Sequence, residues 1–242
     1  MAIKTSTAPK ASRRSTAEDS KWRIVVVDDH PMLRDGVKQR INREPDLTVC
    51  AEAASAAEAL EAIANHSPEM VIVDVALAGK NGIELVKDLK VRHPRLPVIV
   101  LSVYDESLYA ERALWAGARG YVMKQENADV LVQAIRRVRS GQVFVSERVS
   151  AKILNRVAGR RGDVNASAID GLSDRELEVF RLVGDGYGAR EIAAKLHLST
   201  KTVATHTEHI KHKLSLASTR ALTRFAIHWA RGDSPVAGKA RK

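Results

Sequence analysis

From residue 23 the chain alternates between short aliphatic runs and segments with a helical period. The runs are 23–29 (RIVVVDD), 47–53 (LTVCAEA), 70–75 (MVIVDV), 97–103 (PVIVLSV) and 120–124 (GYVMK). They are rich in Val and Ile without polar alternation, as expected of parallel strands covered on both faces. Between them, 31–43, 55–65, 83–92, 105–116 and 128–139 carry helix start signals. Pro31 falls in a first turn, Ser55 and Glu58 are spaced as a capping box, Gly82 and Asp105 open the third and fourth segments, and Asn127 caps the fifth. Five strand-helix units in succession predict an α/β domain with a parallel sheet and right-handed crossovers.

After Gly141 the texture changes. VSERVSAKILNRVAG predicts one more helix, and RRGDVNASAIDG reads as a polar linker. Beyond Leu172 only helical patterns remain, over 173–184, 189–196, 200–214 and 217–230. The expected organisation is a leader over 1–20, an α/β domain over 21–141, a linker with one helix over 142–170, a small all-α domain over 171–231 and a tail over 232–242. Leader and tail lack apolar pattern and are expected to be disordered.

Composition narrows the class. With 242 residues, 45% hydrophobic and 28% charged, the chain suits two ordinary globular domains. No apolar run approaches the roughly 20 residues of a membrane span. The leader also lacks the apolar core of a secretory signal, so a cytoplasmic location is expected. The single cysteine, Cys50, agrees with a reducing compartment. The net charge of +10 is unevenly placed: residues 21–125 hold 14 Lys/Arg against 15 Asp/Glu, whereas 126–242 hold 21 against 12. The basic second half points to a polyanion, nucleic acid before membrane.

Asp74 ends an otherwise apolar strand, and an unpaired carboxylate in an apolar interior costs several kcal/mol. Ligands of open α/β sheets bind beyond the carboxyl ends of the strands. That edge collects Asp28 and Asp29 from the first strand, Asp74 from the third, Ser102 from the fourth and Lys124 from the fifth. Each alone is unremarkable at a strand end. Three converging carboxylates, however, repel unless a hard cation joins them, and Mg²⁺ suits oxygen ligands.

In VVVDDHP, VIVDV, VLSVYD and GARGYVMK the sequence resembles the receiver domains of two-component response regulators over about 23–140. The resemblance implies a flavodoxin-like, doubly wound five-stranded parallel sheet. It further implies that Asp74 accepts a phosphoryl group from a sensor histidine kinase, that Asp28, Asp29, Asp74 and the backbone carbonyl of Ala76 hold Mg²⁺, and that Lys124 pairs with the phosphoryl oxygens. Ser102 would turn inward to the phosphoryl group and Tyr121 would change rotamer with it. Two departures stand out: Ala78 in ALAGKNG replaces the frequent proline, and Gln125 follows Lys124.

In the basic half, Ser173 and Glu176 are spaced to cap a helix, and AREIAAKL, HLST and KTVATHTEHIKHKL then read helix, turn, helix. Val203, Thr207, Ile210 and Leu214 share one stripe and are expected to bury. Lys201, Thr205, Glu208 and His212 lie opposite, flanked by Ala204 and His209. From LSDRELEVFRLVGDG through HIKHKL the segment resembles the LuxR-type helix-turn-helix domain. That resemblance implies double-stranded DNA binding through Lys201, Thr202, Ala204, Thr205, Glu208, His209 and Lys211, with Lys213 also available to the phosphates. Ala204 replaces a frequent basic residue, and Glu208 is acidic on the reading face. Leu222, Phe225 and Trp229 form a stripe on the last helix, by default core and alternatively a homodimer surface on DNA.

The expected function is that of a response regulator which binds DNA and catalyses only its own phosphoryl transfer. A constitutive DNA-binding regulator is the alternative. An aspartyl-phosphate hydrolase would need a general acid two residues beyond the nucleophile, where Ala76 stands.

Overall fold

The computed structural model describes residues 21–77, 80–158 and 169–231. The expected leader and tail, Ala78 and most of the polar linker lie outside the described residues.

The aliphatic runs form β1 (Trp22–Val27), β2 (Leu47–Ala53), β3 (Met70–Val73), β4 (Val98–Ser102) and β5 (Gly120–Met123). All pair in parallel in the order β2-β1-β3-β4-β5. Because side chains alternate across a strand, the uninterrupted apolar runs supply two cores. Ile24, Val26, Ile72, Ile99 and Leu101 face α1 (Pro31–Asn42) and α5 (Ala128–Arg139), where Ile41, Leu131 and Ile135 cover them. Val25, Val27, Val71, Val73 and Val100 face the other side, covered by α2 (Ala56–His66), α3 (Gly82–Arg92) and α4 (Glu106–Ala116) through Ile63, Leu85, Leu89 and Ala113.

The start signals are realised in the backbone. Ser55, Asn81, Asp105 and Asn127 each accept a hydrogen bond from a backbone N–H in the first turn of the helix they cap. After Gly141 the chain does not leave the sheet at once: Phe144 N–H donates to Arg119 O and Tyr121 N–H to Phe144 O, both at 2.9 Å, beside β5. Helix α6 (Glu147–Val157) then packs on α4, held by Val149 and by an Arg156–Glu111 ion pair at 2.5 Å.

The C-terminal unit comprises α7 (Asp174–Gly184), α8 (Ala189–Lys195), α9 (Thr200–Lys213) and α10 (Thr219–Ala230). Its core is Leu177, Phe180, Ile192, Val203, Ile210, Leu222 and Ala226. The expected stripe on α9 is only partly buried: Val203 and Ile210 are inside, whereas Thr207 is half-buried and returns its hydroxyl to Val203 O at 2.9 Å. The last-helix stripe serves this core. Leu222 is fully buried, and the rings of Phe225 and Trp229 lie 5.9 and 5.2 Å from that of Phe180. The expectation of Leu222 at a dimer surface is therefore corrected, because removing it from the interior would open the domain.

Helix α7 docks on α3 and α4, and the apolar core runs on across the junction. Arg112 of α4 donates to Leu172 O at 2.7 Å and to Ile169 O at 3.0 Å, and pairs with Asp174 at 3.2 Å. Lys87 of α3 meets the other oxygen of Asp174 at 2.8 Å. The Arg181 guanidinium lies 4.3 Å from the centre of the Tyr104 ring.

Candidate functional site

The parallel register brings the strand ends to one edge, as the sequence implies. Asp28 and Asp74 are each 2% exposed, and Asp29 is partly open. Lys124 Nζ lies 2.7 Å from Asp28 Oδ2 and 2.7 Å from Asp74 Oδ2, so one buried ammonium serves two buried carboxylates. Burial works against the charge on Lys124, yet the attraction of Asp74 and Asp28 holds its pKa above the ordinary value. Asp74 moves upward as well: burial, with the repulsion of Asp28, raises it against the lowering influence of Lys124 and the Ala76 backbone N–H.

The floor of the site depends on Gly82. Its N–H donates to Val75 O at 2.8 Å, and a Cβ here would lie 1.8 Å from the Asp74 carbonyl oxygen. Only a residue without a side chain lets the start of α3 approach the strand end this closely.

Ser102 is fully buried and its Oγ accepts the Tyr104 N–H at 3.1 Å. Tyr121 points inward, 2% exposed, and donates its hydroxyl to Tyr104 O at 2.8 Å. Ser102 and Tyr121 therefore both hold the backbone of Tyr104, and their side chains also interact with each other.

Ligand atoms of Asp28, Asp29, His30 and Asp74 all lie within 4.8 Å of one another. Asp74 Oδ1 is buried without a hydrogen-bond partner. An acidic set with an unpaired buried oxygen fits a hard divalent cation, and receiver domains bind Mg²⁺ at such an acidic pocket.

Residues 24–136 match the response regulator receiver domain, and residues 170–226 match the luxR family of bacterial regulatory proteins. Over 209 residues the chain is 32% identical to the oxygen regulatory protein NreC of Staphylococcus haemolyticus (strain JCSC1435), covering 85% of this chain and 96% of that one. It is 30% identical over 211 residues to the transcriptional regulatory protein DegU of Brevibacillus brevis, covering 82% and 89%. The chain is a LuxR-family response regulator. Among solved structures, this response regulator is similar to a LuxR-family two-component regulator from Aurantimonas sp. SI85-9A1, 34% identical with a TM-score of 0.54 over 57% of this chain and 99% of that one. It is also similar to RcsB of Salmonella enterica serovar Typhimurium bound to promoter P1flhDC in the presence of phosphomimetic BeF3⁻. That pair is 25% identical, with a TM-score of 0.58 over 85% of this chain and 98% of RcsB. A receiver joined to a LuxR-type output domain makes the protein a phosphorylatable, DNA-binding transcriptional regulator.

In the output domain of this response regulator, the face of α9 expected to meet DNA is open to solvent. Lys201, Ala204, Thr205, Glu208 and His209 are exposed on α9, and Thr202 bonds Ser199 at 2.8 Å in the N-terminal cap. Other cations expected at phosphates are already engaged. Lys211 pairs with Glu208 at 2.8 Å, and Lys213 pairs with the buried Glu176 at 2.7 Å.

Sequence reasoning missed His30, whose Nδ1 lies 2.7 Å from Asp29 Oδ1; its position directly after the acidic pair was the available signal. It also missed Tyr104, Arg181 and Glu178 at the domain junction. Glu178 is fully buried, bonded to Arg175 at 2.7 Å, and burial pushes its pKa up against the Arg175 and Arg181 guanidiniums and the Asn81 amide.

Proposed function

We propose that Asp74 accepts a phosphoryl group from a sensor histidine kinase and that the modification controls binding of the C-terminal domain to promoter DNA. The observation that carries this reading is the Asp74 carboxylate, with Oδ2 fixed 2.7 Å from Lys124 and Oδ1 buried without a partner. Oδ1 is the oxygen free to attack phosphorus in line, forming a P–O bond as the P–N bond to the donor histidine breaks and its electron pair stays on the imidazole. Lys124 counters the repulsion between the carboxylate and the anionic donor, and stabilises charge on the transferring group. Asp28, Asp29, Asp74 and the Ala76 carbonyl would hold Mg²⁺, which would supply further positive charge at the same edge. The product brings roughly −1.5 to −2 charge and new acceptor oxygens beside the hydroxyls of Ser102 and Tyr121. Chemistry beyond the protein's own phosphoryl transfer is not part of this reading, and the location is cytoplasmic.

On DNA, Lys201, Thr202, Ala204, Thr205, Glu208 and His209 form the major-groove face. Two copies of the chain read two half-sites. Thr205 and Ala204, both short, let the N-terminal end of α9 approach base edges closely.

Operator affinity measured with and without a phosphoryl donor and Mg²⁺, in wild type and Asp74→Asn, tests the reading. The donor should tighten binding in wild type alone; equal affinities in all four cases would sink phosphoryl control. They would support the second reading, constitutive DNA binding, which the solvent-open face of α9 in the docked arrangement favours.

A further inference from the structure

His30 follows the acidic pair and occupies the N-cap position of α1, yet its side chain makes no capping hydrogen bond. Pro31 after it restricts residue 30 to extended backbone, and His30 adopts φ −92° with ψ 106°. The His30 N–H donates to Asp28 Oδ1 at 2.9 Å, and the ring turns back over the acidic edge. There its Nδ1 lies 2.7 Å from Asp29 Oδ1 and 3.5 Å from Asp28 Oδ1. The shorter contact is not aligned as a hydrogen bond. Asp29 Oδ1 and Asp74 Oδ1 are both buried without a hydrogen-bond partner among the described residues.

We propose that His30 is a nitrogen ligand of the dication at this edge, and that it makes the site prefer a first-row transition-metal ion such as Mn²⁺ to Mg²⁺. The inference rests on the reading of Asp28, Asp29 and Asp74 as a cation site.

Donor spacing supports a shared cation rather than an ordinary ion pair. Ligands on neighbouring positions of a metal with bonds of roughly 2.1 Å sit about 3 Å apart. The two distances from His30 Nδ1 bracket that value. The four residues offer ligand atoms within 4.8 Å of one another, about twice the length of a metal–oxygen bond. Buried oxygens without partners are costly, and one cation would satisfy Asp29 Oδ1 and Asp74 Oδ1 together. Lys124 does not reach them, because its ammonium sits on Oδ2 of Asp28 and Oδ2 of Asp74.

The preference follows from the donor atoms. Mg²⁺ dehydrates reluctantly and takes oxygen ligands, so an imidazole adds little to its binding. Transition-metal dications accept imidazole nitrogen readily. Three carboxylates alone would serve either kind of ion, and the ring of His30 separates them.

The full chain titrated with Mn²⁺ alone, with Mg²⁺ alone, and with Mg²⁺ against bound Mn²⁺ tests the proposal in wild type, His30→Ala and His30→Phe. The His30 side chain is 63% exposed and caps nothing, so both variants should unfold near the wild-type temperature. Losing an outer-shell partner weakens metal binding roughly 10–100-fold, so losing a direct ligand should raise the Kd for Mn²⁺ at least about tenfold. The Kd for Mg²⁺ should move by less than about twofold. Pulsed electron resonance of bound Mn²⁺ should show nitrogen modulation in wild type and none in either variant. Bound Mn²⁺ without nitrogen modulation in wild type overturns the role of His30, as does modulation that persists in His30→Ala. Wild-type Mn²⁺ affinity in both variants, or affinities for the two metals that fall together, overturns it too. Asp29→Asn and Asp74→Asn probe the layer beneath, and each should weaken both metals. Unaltered binding in those two variants, or no binding of either metal to wild type, overturns the reading of the acidic edge as a cation site.

Discussion

Gly82 lies so close to Asp74 that a Cβ at position 82 would meet the Asp74 carbonyl oxygen at 1.8 Å. Backbone on both sides leaves no flexible side chain to yield, so Gly82→Ala must push α3 away from β3 or tilt the strand end. Overpacking of this kind costs about 3 kcal/mol. The displacement also moves the Asn81 cap, whose Oδ1 accepts the Ile83 N–H at 2.7 Å. Urea denaturation should show the loss of stability, and beryllofluoride binding should weaken in the fraction that stays folded. An alanine variant with wild-type midpoint and binding would show that α3 can slide freely.

Lys124 is shared between two carboxylates, each 2.7 Å away, and its side chain is 6% exposed. Lys124→Met keeps much of the volume and leaves the buried Asp28 and Asp74 facing each other without their shared counter-charge. Breaking a buried pair this way costs about 3 kcal/mol at neutral pH. The pKa of Asp74 is already raised by burial and loses its main lowering influence, so protonation relieves the variant as pH falls. Denaturation at pH 7 and pH 5 checks this: the gap to wild type should narrow at the lower pH. A gap independent of pH would mean that lost packing, not the orphaned carboxylates, sets the cost.

The elements and the acidic edge were legible because their signals are local. VVVDD and VIVD carry strand and site in the same few residues, and Ser55, Asp105 and Asn127 announce the helices they cap. The domain junction has no local signal. Arg112 reaches Leu172 and Asp174 across some sixty residues, and on its own helix it reads as an ordinary solvated charge. Glu178 reads equally as an exposed position until α7 is docked, after which it is fully buried. Lys213 has a partner that its own helix does not announce: the buried Glu176 lies 2.7 Å from its ammonium.

Glu178 gives the docked state a pH dependence. Burial raises its pKa despite Arg175, Asn81 and Arg181, and Tyr104 and Tyr109 also face it from the receiver. A carboxyl with a raised pKa holds its proton more tightly when docked than when solvated. Docking therefore strengthens as pH falls through the raised value, and this gain is absent well above it. Interdomain distances recorded from pH 8 to pH 5 should shift toward the short population, and Glu178→Gln should be short throughout with a flattened response. A steeper response in the Gln variant would place the titrating group elsewhere.

Leu222 and Phe225 separate folding from dimerisation on α10. Leu222 is fully buried and Phe225 packs its ring 5.9 Å from Phe180, so changes at either strike the domain core first. Leu222→Ala should destabilise the output domain by about 3 kcal/mol, visible in thermal unfolding without DNA. Phe225→Asp should behave similarly, and weakened DNA binding by that variant would report unfolding rather than a lost subunit contact. Arg220 and Arg224 are exposed on the same helix, and a subunit contact through α10 must use such positions. Reversing both charges, Arg220→Glu with Arg224→Glu, should leave the unfolding temperature near wild type. If two copies meet through α10, the same change should shift the complex on a two-half-site operator toward single occupancy. Unaltered double occupancy would remove α10 from the interface and direct attention to the receiver for subunit pairing.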